Sequence, residues 1–282
     1  MTDALENHIG TVKIGGRTIT NLRFADDIDG LAGSENELVD LVTNMDAACC
    51  RHGMEISAEK TKVMSNRKDG ISKVIKVSDK TLESVNNFKY LGAIINDEGS
   101  KVEIFSRIAQ ATNALVKLQR IWRDKTITLA NKIRLLRSLV ISTFLYACES
   151  WTITKKLEKK IQAFELRCYR KILGISYKDH VTNDAVFKRI KTAIGKFDDL
   201  LTIVKSRKRK WYGHVTRSEG LAKTILQGTV PGGRKQGRPQ KRWEDNIREW
   251  TDLPLSRKLR IADNRKEWRD LVRKSSVAPH SQ

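Results

Sequence analysis

Arg23-Phe24-Ala25-Asp26-Asp27-Ile28 sets two adjacent carboxylates between short apolar runs, with a Gly15-Gly16 hairpin signal just upstream. Two acidic side chains at a tight β-turn are what a nucleotidyl-transfer site needs to hold divalent metal ions against a triphosphate. An exposed acidic turn with no chemistry would read the same, so the pair takes its meaning from the residues downstream of it. Ser34-Glu35-Asn36-Glu37 reads as a capping box opening a helix. Leu38, Leu41, Val42, Met45 and Cys49 then recur at helical spacing, and Gly53 ends the helix. A short strand over 54–57, a loop carrying Lys60-Thr61, a hairpin around Ser78-Asp79 and the block Phe88-Lys89-Tyr90-Leu91-Gly92 complete the series. Strand, acidic turn, strand, helix, strand, lysine loop, strand and hairpin predict an α+β fold with an antiparallel sheet over residues 1–95.

Helical periodicity takes over after that. Ser100-Lys101-Val102-Glu103 reads as a second capping box, followed by Ile104, Ile108, Leu115 and Leu118 as an apolar stripe. Thr128 is expected to cap a longer helix with Ile133, Leu136, Val140 and Phe144 inward and Lys132, Arg134 and Arg137 outward. Leu157, Ile161, Phe164, Cys168 and Ile172 mark a third helix, ended by Gly174. Antiparallel helices with short connections predict a bundle over 96–195.

Residues 196–282 form a basic C-terminal region. Its run Lys205-Ser206-Arg207-Lys208-Arg209-Lys210 flows into Trp211-Tyr212. The run reads as a nuclear localisation signal, a phosphate-contacting helix or a basic helix surface. The two aromatics could stack on bases, although at least one is expected to anchor the helix in the core. Pro231-Gly232-Gly233-Arg234-Lys235-Gln236-Gly237-Arg238-Pro239 is too glycine-rich for a helix or strand. Its Arg234, Lys235 and Arg238 suit either a minor-groove hook, with Gln236 where an Arg is usual, or a flexible basic connector. A closing helix pair is expected from Trp243, Ile247 and Trp250, with Trp268 and Leu271 on the last element; residues 275–282 should be disordered.

The net charge of +21 is unevenly spread. Residues 1–66 hold 6 Lys/Arg against 11 Asp/Glu, residues 67–204 hold 27 against 14, and residues 205–282 hold 21 against 8. An acidic metal-binding end followed by a basic body with six tryptophans suits a chain that tracks a phosphate backbone. No apolar run is long enough to cross a membrane, and the N-terminus lacks the pattern of a secretory signal. Four cysteines, two of them adjacent, form no disulfide framework and suggest a reducing compartment.

Taken in order, Phe24-Ala25-Asp26-Asp27, Gly53-Met54-Glu55-Ile56 with Lys60-Thr61, and Phe88-Lys89-Tyr90-Leu91-Gly92 resemble the second half of the palm of a reverse transcriptase. The resemblance is to the endonuclease–reverse transcriptases of non-LTR (LINE-type) retrotransposons. It extends through the helical stretch, as a thumb, to Gly213-His214-Val215 and Gly237-Arg238-Pro239 with Trp243.

The resemblance implies Asp26 as the main metal ligand with Asp27 beside it, for Mg²⁺ or Mn²⁺. It implies Lys60 as the lysine that protonates the leaving pyrophosphate, and residues 88–92 as a primer grip. Lys132, Arg134, Arg137, Arg207, Lys208, Arg209, Lys210, Arg234, Lys235 and Arg238 would meet the phosphates of an RNA template and a DNA primer. The location implied is intracellular and nuclear.

The family's first catalytic carboxylate, its nucleotide-selecting motif and its fingers have no counterpart here. Only Asp3 and Glu6 precede the pair, in a helical-looking stretch. The expectation is a truncated polymerase, inactive alone and able to use dNTPs only with a completed site, with Met1 an internal methionine. A non-catalytic nucleic-acid-binding module and a decaying transposon fragment are the alternatives.

Overall fold

The computed structural model describes residues 10–66, 71, 73–96, 99–229 and 240–274. The linker 231–239, the tail 275–282, and Asp3 and Glu6 therefore lie outside the described residues. The chain divides into two compact units. The first takes the described residues up to 96 together with 219–229, and the second takes 99–218 and 240–274.

The first unit is mixed α and β. Strands β1 (Lys13–Ile14) and β2 (Arg17–Thr18) pair antiparallel through Gly15 and Gly16, both at positive φ, as a two-residue primed turn requires. A Cβ on Gly15 would lie 3.2 Å from the Gly228 backbone, and the Gly15 N–H donates to the Thr229 carbonyl at 3.0 Å. The short helix Leu221–Gln227 is thereby tied to the first hairpin. Strands β3 (Asn21–Phe24) and β4 (Asp27–Gly30) form the next antiparallel pair.

Helix α1 (Glu35–Arg51) starts where Ser34 Oγ accepts the Glu37 N–H. The Glu37 carboxylate is buried and reaches back past the cap, accepting the N–H groups of Gly33 at 2.9 Å and Thr11 at 2.8 Å and the Thr11 hydroxyl. It ties the segment before β1 and the loop at Gly33 to the first turn of α1. Strands β5 (Lys62–Val63), β6 (Lys76–Val77), β7 (Lys80–Thr81) and β8 (Glu83–Ser84) follow. β6 and β7 form the expected hairpin at Ser78-Asp79, whose Ser78 N–H and hydroxyl both bond the Asp46 carboxylate. β5 pairs with β8 in parallel, bridged by that hairpin, which departs from the all-antiparallel expectation. Val63, Ile75, Val77 and Leu82 pack under Leu38 and Val42 of α1. The last pair is β9 (Asn87–Tyr90) with β10 (Ala93–Asn96). Among the described residues the strands stand as five two-stranded pieces rather than one continuous sheet.

The second unit is helical: α2 (Lys101–Lys117), α3 (Gln119–Arg123), α4 (Leu129–Leu135), α5 (Lys155–Leu173), α6 (Asn183–Ile194) and α7 (Leu200–Arg217). After residue 240 come α8 (Trp243–Thr251), α9 (Leu255–Asp263) and α10 (Arg265–Lys274). The expected closing pair is thus three helices. Thr128 caps α4, which runs on through a π-helical stretch at Leu136–Ile141, and Gly174 ends α5 at φ +66°.

Ser100 is not a side-chain cap for α2. Its hydroxyl accepts the Thr152 N–H at 2.7 Å, while Glu103 turns to the buried Arg107 guanidinium at 2.6 Å. A tertiary contact outcompetes the local one. Phe144 stacks on Phe164 and meets Trp151 edge-on at the centre of the core, beside the buried Cys148 and Cys168.

Gly213 on α7 lies under the Trp268 indole of α10, whose N–H donates to the Arg209 carbonyl at 2.9 Å. A Cβ at Gly213 would fall 2.2 Å from the indole ring. Gly213→Ala is expected to destabilise this unit by about 1–3 kcal/mol through overpacking, read as a lower midpoint in urea unfolding.

Candidate functional site

Phe24 pairs with Asp27 across the β3–β4 hairpin, leaving Ala25 and Asp26 as a two-residue turn. Ala25 sits at φ +52° and Asp26 does not share the positive φ. A positive φ at the first central position alone is the pattern that usually takes glycine, so a Cβ is carried there under strain. The turn presents Asp26 at its tip and Asp27 at the head of β4, both exposed, beside a Phe24 that is 61% exposed.

Side chains alternate along a strand, so Asp27 and Asp29 lie on one face of β4. The Asp29 carboxyl interacts with the Tyr90 phenol of β9. Burial pushes the Asp29 carboxyl above its usual range; the Tyr90 phenol opposes this and the Asp27 charge adds to it. The Tyr90 phenol is raised by burial and by the neighbouring Asp29 and Asp27 carboxylates. This contact joins the acidic hairpin to the 88–92 block. Sequence reading passed over Asp29, although its two-residue spacing from Asp27 was there to find it.

In the 88–92 block, Leu91 and Gly92 form the turn of the β9–β10 hairpin, both at positive φ. Phe88 and Tyr90 are half-buried on one face, while Lys89 and Leu91 are exposed. Lys60 is exposed on a turn, its N–H bonded to the Ser57 carbonyl, with no hydrogen bond or ion pair to Asp26 or Asp27 among the described residues. No group of three His, Cys, Asp or Glu is placed to hold a metal ion among the described residues. Asp26 and Asp27 offer oxygen donors suited to Mg²⁺ or Mn²⁺, but this donor set falls short of clamping two ions.

The expected phosphate-binding cations divide sharply. Arg134, Arg137, Arg207 and Lys210 are exposed; Arg137 lies over the Phe197 ring, and Arg207 pairs with Glu149 at 3.7 Å. Lys132, Lys208 and Arg209 are buried, which corrects the expectation for those three. Lys132 Nζ donates to the Trp122 carbonyl at 2.8 Å. Arg209 Nε donates to the Lys205 carbonyl at 3.2 Å, one turn back on its own helix.

Lys208 is 0% exposed. Its ammonium donates to the Trp151 carbonyl at 2.6 Å and Asn246 Oδ1 at 3.0 Å, 4.3 Å from the centre of the Trp243 ring. Burial pushes Lys208 down to about 6. The basic run 205–210 is therefore a helix with two faces, one of them interior. Tyr212 is buried against Trp243 and Trp268, as an anchor, while Trp211 is partly exposed. Arg234, Lys235 and Arg238 lie outside the described residues.

Over 278 residues the chain is 30% identical to a putative uncharacterized transposon-derived protein of Caenorhabditis elegans. The match spans 94% of this chain and 99% of that protein. The chain belongs to a transposon-derived protein family. No family model matches it, and no solved structure does either. No helix among the described residues of this transposon-derived chain is long and apolar enough to cross a membrane.

Proposed function

We propose that this transposon-derived chain is the C-terminal part of a non-LTR retrotransposon reverse transcriptase, and that it binds nucleic acid without synthesising it alone. The observation that carries this reading is the paired Asp26 and Asp27 at an exposed, strained hairpin turn, tied through Asp29 and Tyr90 to the 88–92 hairpin. In this reading Asp26 and Asp27 supply part of a metal site, the 88–92 hairpin guides a primer end, and the basic helical unit contacts phosphates. Mg²⁺ or Mn²⁺ and dNTPs enter only when a further carboxylate and the triphosphate-gripping region come from elsewhere.

The charge distribution supports binding by the helical unit, since 38 cations stand against 16 acids over residues 99–218 and 240–274. The test is primer extension on an RNA template with Mg²⁺ and dNTPs, beside an Asp26→Asn, Asp27→Asn variant, with duplex binding scored in the same reactions. No extension and salt-sensitive binding is the expected result. Extension that disappears in the variant would make the chain an enzyme in its own right. Absence of both extension and binding would leave a fragment without either activity.

A further inference from the structure

Four lysines, Lys155, Lys156, Lys159 and Lys160, crowd the first turns of α5. A helix N-terminus favours anions, and like charges four residues apart repel, so this arrangement works against the helix that carries it. Glu158 relieves little of it, being shared between Lys155 at 3.6 Å and Lys205 at 2.8 Å. At 3.6 residues per turn, Lys156, Lys160, Arg167 and Lys171 fall on one outward face about 22 Å long. No ion pair engages any of these four among the described residues. A local rule broken without evident compensation marks a surface kept for something outside the fold.

That face ends in an open cleft of about 530 Å³ between α5 and the start of α6. Its floor is apolar, from Ala163, Leu166 and Ile175, and its rim carries Arg167, Arg170 and Lys171. The Arg170 guanidinium is held by the Val181 carbonyl at 2.7 Å and Asn183 Oδ1 at 3.0 Å. Two residues beyond Ile175, Tyr177 is 82% exposed. Its turn is fixed by Ser176, whose N–H donates to Asp179 Oδ2 at 2.6 Å. An outward aromatic on a capped turn six residues past the last cation of the row offers the pairing that single-stranded nucleic acid uses, phosphates on the cations and a base on the ring. A duplex hides its base faces and gains nothing from the ring.

We propose that the outer face of α5, with Tyr177 at its end, is a track for a single-stranded nucleic-acid segment. This rests on the proposed nucleic-acid binding and adds to it a subsite for a single strand on one face.

The test is binding of a 20-nucleotide single strand and of the matching duplex across a KCl series. The full chain is compared with a Lys156→Gln, Lys160→Gln, Arg167→Gln, Lys171→Gln variant. A control variant, Arg257→Gln, Arg260→Gln, Arg269→Gln, Arg273→Gln, removes the same charge from α9 and α10. Neutralising the track should reduce the single-strand salt slope by up to about 2.8, roughly 0.7 for each of four contacts, with the control close to the parent. Tyr177→Ala should lose about fivefold or more in single-strand affinity, keep its duplex affinity, and be rescued by Tyr177→Phe. If the parent shows no salt-dependent binding, both the function and the track fall. If the parent binds and the two charge variants behave alike, only the track falls. Equal loss of single strand and duplex in Tyr177→Ala, or no loss, overturns the stacking role.

Discussion

Replacing Asn246 by alanine is expected to lower the unfolding free energy of the helical unit by about 3–5 kcal/mol, the range for emptying a buried polar node. The Asn246 amide pairs with both backbone groups of Ile153: Oδ1 accepts its N–H at 2.7 Å, and Nδ2 donates to its carbonyl at 2.7 Å. Oδ1 also accepts from the Lys208 ammonium at 3.0 Å. Asn246 is fully buried, so truncation leaves two backbone groups without their partner and the buried Lys208 Nζ short of one acceptor. Tryptophan fluorescence during urea unfolding reads the change. A loss below about 1 kcal/mol would mean that water or a local shift replaces the amide, against the packed geometry of this node.

The second large effect is a stability minimum near pH 6–7, from two buried groups that oppose each other. Burial lowers Lys208 from 10.5 to about 6. Between those values the unfolded chain holds a proton that the folded one does not, so stability rises with pH across that window. Burial raises Glu165 from 4.5 to about 7, against the opposing pull of the Leu200 backbone N–H and of the Tyr169 hydroxyl, which donates to Oε1 at 2.8 Å. There the folded chain holds the extra proton, and stability falls as pH rises from 4.5 to 7. Each limb is bounded at about 1.4 kcal/mol per pH unit. Denaturation midpoints between pH 5 and 9.5 should trace a trough. Lys208→Met should flatten the alkaline limb and keep or raise stability at pH 7, since a fitted apolar side chain has no proton to give up on folding. Glu165→Gln should flatten the acid limb. A curve that changes monotonically in the parent, or keeps both limbs in the variants, would contradict these assignments.

The sequence carried the local geometry well and the long-range geometry poorly. Turns at Gly15-Gly16 and Ser78-Asp79, the Thr128 cap and the Gly174 stop were all legible, because each depends on a few neighbouring residues. Ser100 misled because its hydroxyl is claimed by Thr152, far along the chain. Lys132, Lys208 and Arg209 misled for a related reason. Lysine and arginine have no burial signature of their own, and their interior positions depend on carbonyls at Trp122, Trp151 and Lys205 that only folding brings near. At the acidic hairpin, Asp26 and Asp27 were obvious as a motif. Asp29 emerged only when folding brought the Tyr90 phenol near it.

The helical unit is built from two separated stretches of chain, and this constrains how it can be made. Asn246, Trp243 and Trp268, which cover Lys208 and Tyr212 on α7, come from the last part of the sequence. As the chain emerges from the ribosome, α7 is complete well before these covers exist. Until then a lysine, an arginine and a tyrosine made for the interior stand in water. The bundle therefore closes only after α8, α9 and α10 have emerged in turn. A prematurely ended chain would keep the basic helix but lack the lid that gives its inner face a place to go.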